Sequence, residues 1–387
     1  MVSHRVPDAI GCSDRGRVWQ LLSLAARTHR VSLVCLVDGP VSLRQWRLIH
    51  DKAQTPAIQA RDALSRLAGR AWRLVDEPAG TSLQMRRACG NALRSWSGGQ
   101  SFDAILSTHP GLWPATSSFD ARLQVCDLYS RQSLLHRSSA QAQTGSPLPS
   151  ARRAWHQRQS RRYDRVERQA ASSYDLVLLG SNDQLCLYAD EPCDKLVLPE
   201  ALDLAFFNFS AQTEAAEEPG DATPVLVLHT DQRHRRWARR WFMNRVWPEV
   251  KQAVPDAAVM FSGPQPGRAT IRQLQSASVV ASPLRGSPQT LWPVLQAMAA
   301  ARPVIAGPQT LEHLDARHGE HLLTPRRDKE WITHCVESLR DASVRLQLAR
   351  GARTFVETHC RIDNTRGLLT DTLRRQQPPV RQMASAA

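Results

Sequence analysis

The chain is 387 residues long, which fits two domains of about 150–200 residues each. A hydrophobic content of 42% with 22% charged residues is typical of a globular protein, and no run of about 18 apolar residues that could span a membrane occurs. The formal net charge of +14 indicates anionic partners, such as nucleotide phosphates or anionic lipid. The first residues lack the apolar core of a signal peptide, so we expect a cytoplasmic protein.

Residue spacing argues against several classes of function. The eight cysteines are scattered without a Cys-x-x-Cys pair, so zinc is not expected. No zinc-finger spacing or aromatic RNA-binding motif accompanies the positive charge, which makes a specific nucleic-acid partner its weakest interpretation. The sequence has no nucleophile elbow, P-loop or Gly-x-Gly-x-x-Gly fingerprint, which argues against a hydrolase, an NTPase and a dinucleotide dehydrogenase.

Short aliphatic runs alternate with helical patterns along the first half of the chain. Buried parallel strands are predicted to end at residues 39, 110, 129, 181 and 200, with helices over 15–28, 43–67, 82–96 and 151–171. His109 and Asp127 follow two of these strands, at the carboxyl edge of the sheet where ligands bind. His109 is a candidate catalytic residue, and an ordinary buried histidine is the alternative.

The segment "GCSDRGR", Gly11–Arg17, precedes the first helical pattern. Ser13 falls in a tight loop, Asp14 is a predicted helix cap, and Arg15 lies near the expected ligand site. We assign Ser13, Asp14 and Arg15, together with Asp127, to an acceptor or cleft loop.

A second alternating series follows residues 208–223, an acidic stretch with Pro, Gly and small residues that predicts an interdomain linker. Its strands end at residues 229, 263, 283, 307 and 324, and its helices lie roughly over 236–252, 289–301, 329–339 and 342–358. We therefore predict an α/β fold of two doubly wound parallel-sheet (Rossmann-like) domains, 1–207 and 224–362, facing across a cleft. Residues 363–376 are predicted to form a helix that packs back on the first domain, and 377–387 a disordered tail.

The loop over 284–289 is a candidate anion site because it leads into a helix. Helix N-termini carry partial positive charge, so the backbone at Gly286 and the side chain of Arg285 could face an anion. A tight turn with one solvated arginine explains the same residues equally well. Gln296, two turns into that helix, is either a ligand for a hydroxyl or an ordinary helix residue. Arg233 and Arg235 follow the first strand of the second domain and are further candidates for phosphate.

A second basic segment, Ser150–Ser173, predicts a helix in which Trp155, Tyr163 and Val166 pack and arginines cover the other faces. Basic amphipathic helices favour anionic lipid. Peripheral contact with the inner face of a membrane is one interpretation of this segment, and a solvated helix is the other.

Several segments, in this order along the chain, resemble the retaining GT-B glycosyltransferases, in particular the bacterial sugar transferases associated with exosortase/PEP-CTERM systems. The resemblance runs from "RVPDAIGCSDRGR" through "RRYDRVERQAASSYDLVLLGSNDQ" to "PLRGSPQTLWPVLQAMAAARPVIAG". It implies a GT-B-like fold and transfer of a sugar from a nucleotide-sugar donor, bound mainly by the second domain. The acceptor, a glycan or lipid-linked acceptor of surface polysaccharide synthesis, is then held by the first domain. The resemblance implies no metal ion or other cofactor.

This chain departs from the family pattern at the donor site. In relatives, the helix before Ala-Met-Ala carries a Lys that contacts the diphosphate and, three residues later, a Glu that contacts the ribose. Here those positions are Pro293 and Gln296. The Gly-rich turn after the first strand of the second domain is replaced by His229–Thr230, and "LVLPEALD" stands where relatives read Pro-Asn-Gly-Val-Asp.

Two hypotheses follow from these departures. The first is an active hexosyltransferase in which Arg285, with Arg233 or Arg235, takes over the diphosphate contact of the missing Lys. The second is a catalytically degenerate protein that keeps the fold and acts as a binding or scaffold partner of an active transferase.

Overall fold

A computed structural model describes residues 1–3, 5–9, 14–37, 41–53, 56–60, 90–95, 101–117, 119–129, 131–141, 149–207, 223–230, 235–262, 268–283, 291–311 and 314–375. The chain divides into two compact units. Unit 1 comprises Met1–Val6, Leu21–Pro199 and Thr365–Ala387, and unit 2 comprises Pro7–Gln20 and Glu200–Asn364. Apart from residue 223, the predicted linker 208–223 lies outside the described residues, as does the predicted tail 377–387.

The strands, in chain order, are β1 (Val2–Ser3), β2 (Leu33–Val37), β3 (Pro56–Ala60), β4 (Phe102–Ser107), β5 (Ala121–Asp127), β6 (Leu176–Leu179), β7 (Asp194–Val197), β8 (Val225–Leu228), β9 (Ala258–Phe261), β10 (Val279–Ser282) and β11 (Val304–Ala306). Unit 1 holds a seven-stranded sheet in the order β3-β2-β1-β4-β5-β6-β7, and unit 2 a four-stranded sheet in the order β11-β10-β8-β9. Every pair of neighbouring strands is parallel. The predicted α/β class with two parallel-sheet domains is confirmed.

The helices, in chain order, are α1 (Asp14–Ala25), α2 (Leu43–His50), α3 (Trp113–Thr116), α4 (Gln132–Gln141), α5 (Pro149–Ala171), α6 (Arg235–Arg245), α7 (Trp247–Ala253), α8 (Arg268–Gln275), α9 (Leu291–Ala299), α10 (Asp328–Arg340), α11 (Ala342–His359) and α12 (Arg366–Arg375). Residues 90–95 are also helical. In the part of the chain that the structure describes, none of the helices is both long enough and apolar enough to cross a membrane.

Proline positions explain two differences from the predicted elements. The helix predicted over 43–67 ends at His50, and Pro56–Ala60 instead pairs with β2 as the edge strand β3. An edge strand tolerates a proline at its first residue, whereas the residue before a proline avoids helical backbone angles. The helix predicted over 236–252 is divided into α6 and α7 at Val246, with Pro248 in the first turn of α7. Proline is tolerated in that first turn but not in a helix interior.

The strand order of each sheet reverses once, and these switch points fix where ligands are expected. In unit 1 the chain passes from β1 to β2 and β3 on one side and continues with β4 on the other. In unit 2 it passes from β8 to β9 and then to β10 on the opposite side. Ligands of open α/β sheets bind outside the carboxyl ends of the strands at such points.

Candidate functional site

The carboxyl ends of β8 and β10 bring two buried polar residues together at the switch point of unit 2. His229 follows β8 directly, and its backbone N–H donates to the carbonyl of Ala281 at 2.9 Å. Ser282 ends β10, and its hydroxyl donates to the carbonyl of His229 at 2.6 Å. Both side chains are buried. The backbone at His229 is therefore fixed by the neighbouring strand.

The imidazole of His229 contacts Gln296 of α9, with Nε2 and Oε1 3.1 Å apart. Gln296 is 1% exposed and His229 is 5% exposed. Burial lowers the pKa of His229 to about 4, because a low-dielectric environment disfavours the charged ring, and the hydrogen bond to Gln296 opposes this only in part. The ring is therefore neutral at pH 7. Its Nδ1 has no hydrogen-bond partner among the described residues.

Trp292, four residues before Gln296 on the same face of α9, packs against α1 at Gly16. A Cβ atom on residue 16 would lie 1.9 Å from Cζ2 and 2.2 Å from Nε1 of the indole, so only a glycine permits this approach. Trp292 is buried, and within the described part of the chain its indole N–H has no acceptor. Both residues belong to unit 2, which explains why Pro7–Gln20 groups with that unit.

A buried carboxyl group, Glu200, lies in the field of Arg17 in the same unit. The guanidinium of Arg17 donates to Oε1 of Gln20 at 3.1 Å, and Arg17 is buried. Burial raises the pKa of Glu200 to about 8, although the positive charge of Arg17 lowers it. Oε2 of Glu200 has no hydrogen-bond partner among the residues that the structure describes. Among the buried polar atoms of unit 2 without a hydrogen-bond partner in the described residues are one each on His229, Trp292 and Glu200.

The switch point of unit 1 holds His109 beside a short hydroxyl cluster. Thr108 donates to Oγ of Ser3 at 3.1 Å, and Ser107 donates to the carbonyl of His109 at 3.1 Å. Nδ1 of His109 accepts the N–H of Gly111 at 3.0 Å and so caps the 3₁₀ turn that begins at Pro110. The proton of the neutral ring therefore resides on Nε2, and Nδ1 is not available as a base.

The remaining predicted site residues are distributed as follows. Asp127 ends β5 and is buried, so it lies at the predicted carboxyl edge. Asp14 begins α1, and the carbonyl of Arg15 accepts the N–H of Asp8 at 3.2 Å. The backbone of Arg235 begins α6. Four predicted residues lie outside the described residues: Ser13, Arg233, Arg285 and Gly286.

Sequence reasoning did not find the contact of Trp292 with Gly16 or the buried carboxyl of Glu200. The sequence resemblance contained a signal for Glu200, since that residue follows the proline where the resembling family carries Asn. It contained a similar signal for His229, which replaces a Gly-rich turn. A tryptophan packed on a glycine 276 positions away leaves no local pattern. No three His, Cys, Asp or Glu side chains converge as a potential metal site within the described ranges.

No protein-family profile and no curated protein sequence matches the chain. Solved structures do match, and one is sucrose-phosphate synthase from Thermosynechococcus elongatus, with a TM-score of 0.64 and 15% identity over 97% of this chain and 98% of that one. Anabaena HepE in complex with UDP and glucose gives a TM-score of 0.63 and 14% identity over 96% of this chain and 99% of its own. WaaG, a glycosyltransferase involved in lipopolysaccharide biosynthesis, gives a TM-score of 0.54 and 11% identity over 97% of this chain and 100% of its own. All three neighbours are GT-B glycosyltransferases, and the chain has the GT-B fold.

Proposed function

We propose that this protein is a glycosyltransferase that moves a hexosyl group from a nucleotide-sugar donor to a glycan or lipid-linked acceptor in surface polysaccharide synthesis. The observation that carries the proposal is the buried polar group left open at the switch point of unit 2, Nδ1 of His229, in a GT-B fold. Solved neighbours of this fold contain UDP and glucose, UDP-glucose, or UDP with Fondaparinux and alpha-GlcNAc-glycerol. A nucleotide-sugar bound by unit 2 accounts for the open nitrogen of His229 and agrees with the ligands of these neighbours.

Arginine takes the diphosphate in this proposal. Pro293 of α9 is buried and has no side-chain donor, so it cannot replace the Lys of the resembling family. A guanidinium presents a planar fork of donors that matches phosphate oxygens. We assign the contact to Arg285 with the backbone of Gly286, and to Arg233 or Arg235 after β8.

The acceptor side is assigned to unit 1 and to the N-terminal loop. Asp127 and His109 lie at the carboxyl edge of the unit 1 sheet, Asp14 and Arg15 begin α1, and Ser13 precedes them in the sequence. With Nδ1 held by Gly111, His109 acts through Nε2–H as a donor. Retention of the anomeric configuration, membership of the exosortase-associated group and independence of a metal ion are proposed from the sequence resemblance alone.

A second candidate function is a degenerate GT-B protein that binds or scaffolds an active transferase. The observation that favours it is the engagement of Gln296, whose amide oxygen meets His229 instead of facing an open pocket. A glutamine at this position also lacks the charge of the Glu found in the resembling family. Catalysis is therefore the property that separates the two candidates.

Calorimetric or thermal-shift titration with UDP, GDP, ADP and their glucose conjugates tests the proposal. We expect at least one to bind, and Arg285→Ala to weaken binding tenfold or more, since a charged hydrogen bond contributes roughly 1.5–3 kcal/mol. Arg317→Ala is the matched control, because Arg317 is 76% exposed in unit 2 and pairs with Glu320. No response at millimolar concentration rejects the donor site. Binding without release of nucleoside diphosphate, with or without glycan acceptors, supports the scaffold.

We also propose that α5 contacts an anionic membrane surface. Its arginines at 153, 158, 161, 165 and 168 are exposed, and Trp155 among them is 41% exposed. Arginine with an interfacial tryptophan suits the headgroup region of anionic lipid. Co-sedimentation with phosphatidylglycerol vesicles, but not with phosphatidylcholine vesicles, is expected at low salt. Equal recovery with both kinds of vesicle rejects this contact.

A further inference from the structure

The imidazole of His229 leaves one nitrogen open at the switch point of unit 2. Nε2 is held by Oε1 of Gln296 at 3.1 Å, whereas Nδ1 has no hydrogen-bond partner among the described residues although the ring is 5% exposed. Buried polar atoms in native structures are nearly always hydrogen-bonded, because a buried atom without a partner has lost its water. Because this open nitrogen also lies at the carboxyl edge of the sheet, where ligands of such folds bind, it is a candidate position for a bound group.

The proton on the ring restricts the chemistry of that group. The amide oxygen of Gln296 can only accept, so Nε2 carries the proton and Nδ1 presents a lone pair. Burial keeps the pKa of the ring at about 4, so the ring remains neutral at pH 7. The oxygens of a diphosphate are also acceptors at that pH and gain no hydrogen bond from Nδ1. A hydroxyl group can donate to it.

We propose that Nδ1 of His229 accepts a hydrogen bond from a hydroxyl of the nucleotide-sugar and thereby selects for that hydroxyl. The inference rests on the proposed function, and it adds a residue that reads the sugar part of the ligand. The ribose and the transferred sugar both supply such hydroxyls. Gln296 is the positioning residue, since its bond to Nε2 fixes which nitrogen accepts. Ser282 fixes the backbone of His229.

Calorimetric titration with ligands that lack single hydroxyls tests this selection. The ribose arm compares UDP, GDP and ADP with their 2′-deoxy and 3′-deoxy forms. The sugar arm compares the corresponding glucose donors with forms lacking one sugar hydroxyl. We expect the wild-type protein to bind one deoxy ligand about three- to tenfold more weakly than its parent, the range of a neutral hydrogen bond, and the other deoxy ligands almost as tightly.

Two variants of His229 separate the effect of the acceptor nitrogen from the effect of the ring. His229→Phe keeps a ring of similar size without an acceptor, so it is expected to bind the parent and the deoxy ligand within about twofold of each other. His229→Asn returns an acceptor oxygen near the position of Nδ1 and is expected to recover part of the discrimination. Binding of the parent ligand by His229→Phe shows that this variant is folded.

The outcomes distinguish this inference from the proposed function. If nucleotides bind but the wild type tolerates removal of every hydroxyl, the inference is overturned and the donor site remains. If the Phe variant discriminates as strongly as the wild type, the inference is overturned as well. If no nucleotide or nucleotide-sugar binds, the proposed function fails and the inference fails with it.

Discussion

Glu167 of unit 1 and the buried residues Glu200 and His229 of unit 2 differ in how completely their side chains are hydrogen-bonded. In unit 1, Glu167 accepts the N–H and the hydroxyl of Ser133, at 3.1 and 2.5 Å, and the Nε–H of Arg131 at 3.3 Å. In unit 2, Glu200 and His229 each keep one polar atom without a partner among the described residues. The first arrangement is closed and joins α4 to α5. The second leaves Nδ1 of His229 open at the switch point, and a missing partner together with a position at the carboxyl edge of the sheet marks the candidate binding site.

The hydrogen-bond network around Glu167 leaves one donor nitrogen of Arg131 without a hydrogen bond. Its Nη1 has no hydrogen-bond partner in the described part of the chain, yet the guanidinium carbon lies 5.0 Å from the ring centre of Tyr188. A cation over an aromatic face is stabilised by the ring quadrupole. The two charged side chains that form the ion pair, Arg131 and Glu167, are each 5% exposed or less. The network is therefore expected to contribute to the stability of unit 1 and not to ligand binding.

The largest expected effect follows from removing Arg131 from its ion pair with Glu167. Arg131→Met leaves the carboxylate of Glu167 buried without its cation, which typically costs about 3–5 kcal/mol of unfolding free energy. Burial already raises the pKa of Glu167, and loss of Arg131 removes one of the interactions that lower it. Urea denaturation of the variant and the wild type measures the difference.

Two controls show whether the cost comes from an unpaired buried charge. The double variant Arg131→Met/Glu167→Leu removes both charges and should recover most of the lost stability, as replaced buried pairs often do. Asp164→Asn removes a 32% exposed partner of Arg131 and Arg168 and should cost less than about 1 kcal/mol. Equal costs for Arg131→Met and Asp164→Asn would contradict the closed network.

The next effect concerns the open carboxyl group of unit 2. Burial raises the pKa of Glu200 from 4.5 to about 8, so the folded state holds this proton more tightly than the unfolded state. Stability is therefore lost as the pH rises from about 4.5 through about 8. Glu200→Gln removes that loss. The loss is about 1.4 kcal/mol for each pH unit between the two pKa values, so we expect the variant to be more stable than the wild type by a few kcal/mol at pH 8.5.

Denaturation curves between pH 5 and pH 9 measure this gap between Glu200→Gln and the wild type. The gap should widen as the pH rises, and a constant gap would mean that Glu200 does not titrate in this range. The pH dependence of stability has the opposite sign at His229. Its pKa is lowered from 6.5 to about 4, so the folded protein loses stability relative to the unfolded chain as the pH falls below 6.5. His229→Phe should therefore differ most from the wild type at acidic pH.

The sequence allowed the fold and most strand ends to be predicted, because buried strands carry a local signal. The strand predicted to end at residue 324 is wrong, since Leu323 forms only an isolated bridge with Ile305. Buried parallel strands are continuous aliphatic runs such as "LVLL", Leu176–Leu179, and residues such as Asp127 are placed at the carboxyl edge by counting along the run. β3 was missed because "PAIQA" is short, begins with proline and lies at the sheet edge, so few apolar residues mark it.

The partners within the candidate site could not be predicted in the same way. His229 and Gln296 are 67 residues apart, and their contact depends on how α9 packs on β10 and β11. Arg17 and Glu200 both belong to unit 2, whereas the predicted domain 1–207 assigns both to the first domain. Periodicity shows which face of an element is buried, but not which residue of another element covers it.

The smallest expected effect compares the two aromatic rings that pack on glycines, one in each unit. Gly16→Ala places a Cβ within 2.2 Å of three atoms of the buried Trp292 ring, and Gly180→Ala places one 2.6 Å from Cδ2 of Tyr129. Overpacking typically costs about 1–3 kcal/mol. Gly367→Ala is the control in the first turn of α12, where the nearest atom would be 3.9 Å away and alanine should stabilise by up to about 1 kcal/mol.

Thermal denaturation of the three variants should rank them Gly367→Ala, Gly180→Ala, Gly16→Ala from most to least stable. In the variant Gly16→Ala/Trp292→Phe the smaller ring removes the overlapping indole atoms, so part of the loss should be recovered. If Gly16→Ala is as stable as Gly367→Ala, the indole moves freely and does not close against α1. In that case the open N–H of Trp292 turns with the ring, and the part of unit 2 beside α9 is adaptable, in contrast to the fixed helix pair of unit 1.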